Sequence, residues 1–473
     1  MNFNLSNLSS RNALEFGGSM DPFFESDFLK NKDKIFSEFE TFLNFQSISS
    51  EPKFSGEVRK CCLWLKHLLE EMGLAVREYE TSHHPVLLAT YDKAGSDKPT
   101  LLIYNHYDVQ PVDPIEEWKS PPFTPTVRDG QIYARGAQDN KGQLFYTLQA
   151  LRALFKKEGS LPVNLKWCIE GEEECGSQGL LEVIQKHPQD FKADYLAVVD
   201  VGIPAADIPA VTLGVRGILT FDVKVKGSTT DLHSGQHGGM VYNPLHALVE
   251  VLSSLKTEKG EIAIPGFYDD VRALSEKEKT LFSWDFDALR YEKETGAKAT
   301  GGEKGYTPLE RAWVRPTIEI NGISGGYAGE GFKTVIPAKA IAKISCRLVP
   351  SQDPAKVKDL ITAFIKSQAK EGFEVEVISH AGGGEAVRAD PTSRVVKAFS
   401  EAFSDVFQKK ALFILDGGSI PVVSKLAQIS GSQVVLVGLG LTTDQIHAPN
   451  EHFGVERFRQ GYLIMSRALQ LLS

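Results

Sequence analysis

The chain has 473 residues, of which 42% are hydrophobic and 24% are charged, and its formal net charge is −9. This length predicts two or three domains, and no apolar run reaches the roughly 18–20 residues that a membrane-spanning helix needs. No stripe of lysine and arginine indicates nucleic acid, so we expect neither a nucleic-acid partner nor a membrane partner.

The N-terminal segment and the cysteines bear on location. Residues 1–25 lack the basic head and the apolar core of a secretory signal, and we expect them to form a disordered leader. The five cysteines include no C-x-x-C pair and show no spacing typical of a disulfide framework. The sequence therefore favours a reducing, cytoplasmic location.

Residues 26–213 alternate helical and strand patterns. The continuous apolar run "PTLLIYN" is typical of a strand that is buried on both faces, and "GQLFYTLQALRALFKK" has apolar residues at helical spacing. The strands "LKWCI" and "YLAVVD" follow. This βαβ rhythm predicts the α/β class, with a mostly parallel sheet and helices on both of its faces.

Residues 214–382 have a different pattern. The stretch "LTFDVKVKG" alternates strictly between apolar and polar residues, which predicts an antiparallel strand with one wet face. The predicted elements up to "FEVEVISH" follow the order β-α-β-β-α-β of the ferredoxin-like motif, interrupted by a polar insertion at about 258–315. We interpret this stretch as a second domain, inserted into the first. Residues 383–473 then complete the first domain.

Candidate ligands follow several strands of the first predicted sheet. His106 and Asp108 follow "LLIYN", four glutamates in "EGEEECGS" follow "LKWCI", and Asp200 ends "YLAVVD". His447 lies in the loop after "VVLVGLG", and Asp139 directly precedes a long helix. Because ligands of open α/β sheets bind beyond the carboxyl ends of the strands, we expect a metal ion to compensate these crowded carboxylates.

The set of residue types narrows the choice of metal. Imidazole and carboxylate without thiolate suit Zn²⁺, Mn²⁺, Co²⁺ or Fe²⁺. The candidate ligands exceed what one tetrahedral ion needs, which favours two ions that share a bridging carboxylate, with Asp139 as the natural bridge. Each residue alone has a simpler interpretation: a surface histidine, a helix N-cap for Asp139, or a solvated acidic loop.

Five motifs in chain order make the pattern specific. "NHYDVQP", "RGAQDNKG", "EGEEECGS", "VVD" and "HAPNE" resemble the two-metal peptidase family of acetylornithine deacetylase, succinyl-diaminopimelate desuccinylase, aminoacylase and carnosinase. "DLHSGQHGG", "GGYAGEGFKTVIPAKA", "ISCRLVP" and "DGGSIP" are most similar to its cytosolic nonspecific dipeptidase and carnosinase branch. The resemblance runs from about residue 30 to the C-terminus.

The resemblance implies a role for each candidate ligand. His106 and Asp200 would bind one ion, Glu174 and His447 the other, and Asp139 would bridge the two. It implies two divalent ions per chain, with Zn²⁺ first and Mn²⁺ or Co²⁺ as alternatives.

The resemblance also implies the residues that act beside the ions. Asp108 would orient His106, and Glu173 would be the general base. The family pattern E-G-x-E-E-x-G-S puts Glu172 at its variable position, and Glu172 is the alternative base. A cis peptide is implied at Asp139–Asn140.

Further implied roles fall largely on the inserted domain, which the resemblance makes a lid and dimerisation domain. His233 would stabilise the oxyanion from the partner chain of a homodimer, and Arg347 would bind the substrate carboxylate. The residues implied to line the substrate pocket are Thr334, His380, Gly418 and Ser419.

The resulting prediction is a dinuclear hydrolase that cleaves dipeptides or short peptides with a free C-terminal carboxylate, using metal-activated water and a glutamate base. The alternatives are an N-acyl-amino-acid deacylase or a carboxypeptidase on the same scaffold, and a metal-binding homologue without catalysis. The expected partner is a small peptide substrate.

Overall fold

A computed structural model describes residues 20–380 and 382–473 of the chain. Its α-helices, in chain order, are α1 (Pro22–Asn44), α2 (Ser55–Glu71), α3 (Lys141–Glu158), α4 (Gln178–Lys186), α5 (Ser234–His237), α6 (Pro244–Ser253), α7 (Glu276–Leu281), α8 (Ala288–Thr295), α9 (Pro308–Trp313), α10 (Pro354–Ser367), α11 (Arg394–Phe407), α12 (Pro421–Ser430) and α13 (Val455–Leu472). Short 3₁₀ helices are Pro52–Phe54, Ile115–Glu117, Glu173–Cys175, Pro188–Phe191 and Thr442–Asp444.

The strands, in chain order, are β1 (Ala75–Tyr79), β2 (Val86–Tyr91), β3 (Thr100–His106), β4 (Thr126–Arg128), β5 (Gln131–Tyr133), β6 (Asn164–Glu170), β7 (Tyr195–Val199), β8 (Ala210–Val215), β9 (Gly217–Lys226), β10 (Leu232–His233), β11 (Thr317–Gly325), β12 (Val335–Ile336), β13 (Lys339–Leu348), β14 (Glu374–Ser379), β15 (Val387–Arg388), β16 (Leu412–Asp416), β17 (Gln433–Val437) and β18 (His452–Gly454). No helix within the described ranges is long and apolar enough to cross a bilayer.

The start of α1 corrects the extent of the predicted leader. Residues 1–19 lie outside the described residues, but the helix begins at Pro22, inside the segment 1–25. Asp21 caps this helix, since its carboxylate accepts a hydrogen bond from the Phe23 backbone N–H at 2.9 Å, and Pro22 suits the first helical position. Phe24 is fully buried, which fixes the first turn in place.

The chain divides into two compact units. The first takes in the described residues up to Leu213, together with Arg388–Ile414 and Lys425–Ser473, and the second takes in Gly214–Val387 and Leu415–Ser424. The sequence assigned all of 383–473 to the first domain, so residues 383–387 are a correction, and so is the stretch Leu415–Ser424. Its place has a physical cause, because the Arg216 guanidinium donates to the Gly417 carbonyl at 2.9 Å and the Arg216 N–H donates to the Gly418 carbonyl at 2.9 Å.

The first unit is built on a mixed sheet. The strand order is β1-β2-β6-β3-β7-β17-β8-β15, and β16 pairs with β8. The central strands β6, β3, β7 and β17 run parallel to one another, whereas β1, β2 and β8 pair antiparallel. The predicted α/β class with a mostly parallel central sheet is confirmed.

Helix α3 lies within the core of the first unit. All residues from Lys141 to Leu151 are buried, including the polar residues Gln143 and Thr147. Gly159 ends the helix in the left-handed conformation at φ +71°, and its N–H donates to the Phe155 carbonyl at 2.9 Å. The first residue of this helix, Lys141, directly follows Asn140.

The second unit contains a four-stranded antiparallel sheet in the order β11-β13-β9-β14. Along the chain, the strands of this sheet and the helices α6 and α10 run β9, α6, β11, β13, α10, β14. The short elements β10 and α5 lie between β9 and α6, α7 to α9 lie between α6 and β11, and β12 lies between β11 and β13. Side chains of β9 alternate between buried and partly exposed, as the sequence predicted for "LTFDVKVKG". The buried residues of the sheet and of helices α6 and α10 form one core, which includes Phe221, Val223, Leu248, Ile344 and Ile361.

Candidate active site

The carboxyl ends of the four parallel strands meet at one edge of the first unit's sheet. His106 is the last residue of β3 and pairs with Glu170, the last residue of β6. Asp200 directly follows β7, whose Val199 pairs with Val437 at the end of β17. Parallel strands share their direction, so the residues that follow them reach the same edge.

His106, Asp139 and Asp200 form the first candidate metal group at this edge. The His106 Nε2 atom lies 3.1 Å from Asp139 Oδ1 and 3.7 Å from Asp200 Oδ1. One potential ligand atom from each of the three residues lies within 4.8 Å of the others. His106 is fully buried, and Asp200 is nearly so.

Asp139, Glu174 and His447 form the second group. The His447 Nε2 atom lies 3.0 Å from Asp139 Oδ2 and 3.2 Å from Glu174 Oε2. Asp139 thus presents one carboxylate oxygen to each group. The structure brings all five sequence-predicted ligands together, and the shared residue is the one that the sequence singled out as the bridge.

Asn140 connects Asp139 to the interior of the sheet. The Asp139–Asn140 peptide is cis, as the resemblance implied. The Asn140 amide donates to Asp200 Oδ1 at 2.6 Å, and its oxygen accepts a hydrogen bond from Asn105 at 2.6 Å. Asn105 in turn accepts one from the Trp167 indole at 3.1 Å. This buried chain of hydrogen bonds orients the Asp200 carboxylate.

Asp108 contacts both imidazole and backbone at the site. Its Oδ1 atom lies 3.2 Å from His106 Nδ1. The opposite ring nitrogen, Nε2, therefore faces the carboxylates of Asp139 and Asp200. The two oxygens of Asp108 also accept hydrogen bonds from the backbone N–H groups of Glu173 and Glu174, each at 3.1 Å. Asp108 therefore fixes the acidic loop as well as the histidine.

The structure distinguishes Glu172 from Glu173. Glu172 is buried and its Oε2 accepts a hydrogen bond from the Gly179 N–H at 2.9 Å, in the first turn of α4. It serves a helix N-terminus, where a negative charge is favourable. Burial raises the pKa of Glu173 well above its ordinary value, and the neighbouring charge of Glu174 adds to the shift. Of these two carboxylates, Glu173 is the one under the electrostatic influence of the candidate ligands.

The carboxylates of the site are in an electrostatic conflict that a cation resolves. Burial, followed by the charge of Asp139, raises the pKa of Glu174 to about 7. Burial also raises the pKa of Asp200 to about 6. Hydrogen bonds to Asp139 and Glu174 raise the pKa of His447 to about 11. The donor set of two imidazoles and three carboxylates fits divalent transition metals and Zn²⁺.

Two side chains that touch the ligands were not singled out from the sequence. Asn140 is one, and Gln110 is the other, because its amide donates to Glu174 Oε2 at 2.8 Å. Both lie inside the quoted motifs "RGAQDNKG" and "NHYDVQP". That membership was the available signal, but an amide is not a typical metal ligand, so residue type does not single out either side chain.

The remaining predicted residues belong to the second unit. Arg347 on β13 donates from Nη1 to the Ser419 hydroxyl at 2.7 Å, so these two are brought together. Gly418, which precedes Ser419, donates its N–H to Asp416 Oδ1 at 2.6 Å. Burial, followed by the charge of Arg347, lowers the pKa of the nearby Arg216 to about 10. Arg347 makes no salt bridge with a carboxylate in the described part of the chain.

His233 is the last residue of β10, and Thr334 directly precedes β12, in the second unit. β10 pairs with β12, and the Thr334 carbonyl accepts a hydrogen bond from the Ser234 N–H at 3.0 Å. Both side chains are exposed. The Gly235 N–H donates to His233 Nδ1 at 3.1 Å, so the proton of the neutral ring is on Nε2. His380 directly follows β14, and its Nε2 atom lies 3.0 Å from Asp222 Oδ1 on β9, so its role in a pocket stays a prediction.

An α/β sheet whose edge collects two imidazoles and several carboxylates defines a metallohydrolase type of site. Residues 102–471 match the sequence profile described as peptidase family M20/M25/M40. The chain belongs to this peptidase family and is therefore a hydrolase.

Three similar proteins come from three different organisms. Cys-Gly metallodipeptidase dug1 of Schizosaccharomyces pombe is 31% identical, over 91% of this chain and 94% of that protein. The crystal structure of the M20 family metallo-carboxypeptidase Sso-CP2 from Sulfolobus solfataricus has a TM-score of 0.85 at 35% identity, covering 93% of this chain and 99% of that one. Human carnosine dipeptidase 1 has a TM-score of 0.82 at 30% identity, covering 96% and 98%.

Proposed function

We propose that the chain is a dinuclear metallopeptidase that hydrolyses dipeptides or short peptides with a free C-terminal carboxylate. The observation that carries this proposal is the shared carboxylate: Asp139 lies 3.1 Å from His106 Nε2 through one oxygen and 3.0 Å from His447 Nε2 through the other. Such sharing suits two adjacent ions. Membership of the M20 peptidase family, and relatives named as dipeptidases, support the reaction type.

The five ligands divide between two ions. His106 and Asp200 would hold one, Glu174 and His447 would hold the other, and Asp139 would be shared between them. Zn²⁺ is the proposed metal, with Mn²⁺ and Co²⁺ as alternatives, because these ions accept mixed nitrogen and oxygen ligands. When bound, the ions supply Lewis-acid activation of the scissile carbonyl and of water.

Glu173 is the proposed general base. It takes a proton from the attacking water and delivers it to the leaving amine. Asp108 sets its position, since the Asp108 carboxylate accepts hydrogen bonds from the backbone N–H groups of Glu173 and Glu174. Because Asp108 binds the backbone of both Glu173 and Glu174, it holds the proposed base beside the proposed ligand.

Arg347 is the proposed receptor for the substrate carboxylate. A planar guanidinium matches a carboxylate with two parallel hydrogen bonds. Two observations support this role: Arg347 has a hydroxyl partner, Ser419, and no salt-bridge partner among the described residues, and Arg216 adds a second positive charge nearby. Thr334, His380 and Gly418 complete the proposed pocket lining.

His233 is proposed to act in the partner chain of a homodimer formed through the second unit, which would serve as the lid and dimerisation domain. Its Nε2–H is free of the local turn, because Nδ1 already accepts from Gly235, and it can donate to an oxyanion.

The proposed location is cytoplasmic, and the five unpaired cysteines support a reducing compartment.

A substrate panel tests the function. Metal-stripped protein is reloaded with Zn²⁺, Mn²⁺ or Co²⁺ and given free-acid dipeptides, the same dipeptides with C-terminal amides, N-acyl amino acids and longer peptides. We expect hydrolysis of the free-acid dipeptides and poor hydrolysis of the amides. Arg347→Lys should slow the hydrolysis of the free-acid substrates several-fold, because an ammonium group cannot form the paired hydrogen bonds. Arg394→Lys, at an exposed position on α11, is the matched control.

The same panel separates the second candidate function. A metallo-carboxypeptidase activity is favoured by the similarity to Sso-CP2, and it predicts that longer peptides lose single residues from the C-terminus as fast as dipeptides are cleaved. A deacylase prefers the N-acyl amino acids. Equal hydrolysis of amidated and free-acid dipeptides by the unmodified protein would remove the carboxylate-binding role from all three candidates.

A further inference from the structure

Glu451 is a fully buried carboxylate four residues after His447, and it is not one of the candidate ligands. Its Oε2 atom accepts hydrogen bonds from Arg135 Nη1 at 2.8 Å and from the Gly136 N–H at 2.9 Å. Its Oε1 atom accepts from the N–H groups of Gln138 and Asp139, each at 3.0 Å. One side chain thus binds the backbone of the segment that ends in the shared ligand.

This arrangement costs free energy unless it is complete. A buried carboxylate loses its hydration and is tolerated only with charged or hydrogen-bonding partners. Here both oxygens are used twice. Arg135, which supplies the opposite charge, is itself buried and donates from Nη2 to the Pro111 carbonyl at 2.9 Å. The backbone also takes part, since the Glu451 carbonyl accepts the Ala134 N–H at 3.1 Å.

The loop that carries His447 is held at both ends. Before the histidine, the buried Asp444 carboxylate pairs with both terminal nitrogens of Arg457, and it accepts the Leu441 N–H at 2.8 Å. After the histidine comes Glu451. The first anchor ties the loop to α13, whereas Glu451 ties it to the Asp139 backbone directly.

We propose that Glu451 is a positioning residue of the metal centre, which sets the separation between Asp139 and His447 by binding the backbone of one from the loop of the other. Those two side chains lie 3.0 Å apart and form, with Glu174, the second candidate metal group. The proposal rests on the proposed function in one respect, namely that this group binds a divalent ion. It adds a residue that touches neither metal nor substrate.

Cobalt binding tests the proposal on the 473-residue chain. Metal-free protein is titrated with Co²⁺, and the visible absorption spectrum and the dissociation constants are recorded for the unmodified chain, Glu451→Gln and Glu456→Gln. Glutamine has nearly the same shape but replaces one acceptor oxygen by an NH₂ group that faces N–H donors. We expect Glu451→Gln to weaken at least one Co²⁺ site by about 10–100-fold, the usual effect of losing an outer partner, and to change the spectrum. Glu456→Gln, half-exposed on α13, should match the unmodified chain.

A merely structural role gives a different result. It would lower the unfolding midpoint of the metal-free protein and leave the spectrum and affinity of the folded protein unchanged, and that outcome overturns the proposal. If Glu451→Gln does not fold, Glu451→Asp serves instead, because the shorter carboxylate keeps the charge but cannot reach all four donors, and it should show the same loss of affinity. An unmodified chain that binds no Co²⁺ contradicts the proposed function itself.

Discussion

Adjacent residues of the acidic loop have separate tasks because their side chains point to different neighbours. Glu172 faces the start of α4 and Glu174 faces His447, while Asp108 holds the backbone of Glu173 and Glu174. A run of glutamates therefore does not act as a diffuse negative patch. Each carboxylate has its own partner, and the substitution of each should have its own signature.

Glu173→Gln and Glu172→Gln should differ sharply. Removal of a general base costs roughly 10²–10⁴ in turnover, and we expect this loss for Glu173→Gln with both metals retained. Glu172→Gln should keep its turnover, because the glutamine oxygen can still accept the Gly179 N–H. Steady-state kinetics together with metal analysis decide the matter. If the change at Glu172 is the more damaging one, the base is assigned to the wrong residue.

Glu170 gives a prediction on pH. Burial raises its pKa from about 4.5 to about 8, although Tyr104 and Ser177 donate hydrogen bonds to its Oε1 at 2.6 Å and 3.0 Å. Between the two pKa values, about 4.5 and about 8, the folded state keeps a proton that the unfolded chain releases. The free energy of unfolding of the unmodified protein therefore falls as pH rises through this range.

Glu170→Gln resembles the protonated acid and does not titrate. The free energy of unfolding of this variant, minus that of the unmodified protein, should rise with pH by up to about 1.4 kcal/mol per pH unit between about pH 5 and 7. Urea unfolding of both metal-free proteins at several pH values measures this difference. A difference that stays constant across the window contradicts the buried, protonated state of Glu170.

Residue type, position at strand ends and the five ordered motifs predicted the candidate ligands, but not the residues that hold those ligands in place. Histidines and carboxylates at strand ends stand out because few other tasks gather them there. Asn140, Gln110 and Glu451 act through hydrogen bonds to partners that are remote in sequence, such as Asp200 for Asn140. Their roles depend on which residues the fold brings together, and spacing along the chain does not predict this.

At the scale of elements, hydrophobic pattern was a reliable guide where one strand or helix has one environment. The apolar run of β3 and the alternation of β9 correspond to a buried and a half-exposed strand. The segment Leu415–Ser424 was assigned to the wrong unit because its own pattern is that of a strand end and a helix start. Hydrogen bonds from Arg216 and Arg347, far away in the chain, decide where it belongs.

The paired strands β10 and β12 carry a prediction about exchange between chains. If His233 serves the partner's site, then mixing His233→Ala chains with Glu173→Ala chains, after dissociation and reassociation, produces mixed dimers with one complete site. Activity should return in the mixture although each variant alone is inactive. Mixtures of each variant with itself are the controls. A mixture that stays inactive while mixed dimers form shows that His233 acts within its own chain.

At the scale of the whole molecule, the five proposed ligands all lie in the first unit but are spread from His106 to His447. The site therefore exists only when the parallel sheet has assembled, since no single element supplies more than part of it. The proposed substrate-binding residues Arg347 and His233 lie in the second unit. Metal binding and recognition of the substrate carboxylate should thus respond to different substitutions.

The central claim is that two divalent ions share Asp139 and are required for peptide hydrolysis. The most direct test is elemental analysis of fully active protein, with activity followed as metal is removed by a chelator and restored. The account predicts two ions per chain, loss of hydrolysis on chelation, recovery on reloading, and an unchanged stoichiometry in Arg347→Lys. One ion or none in fully active protein, or hydrolysis that survives complete removal of metal, would contradict it.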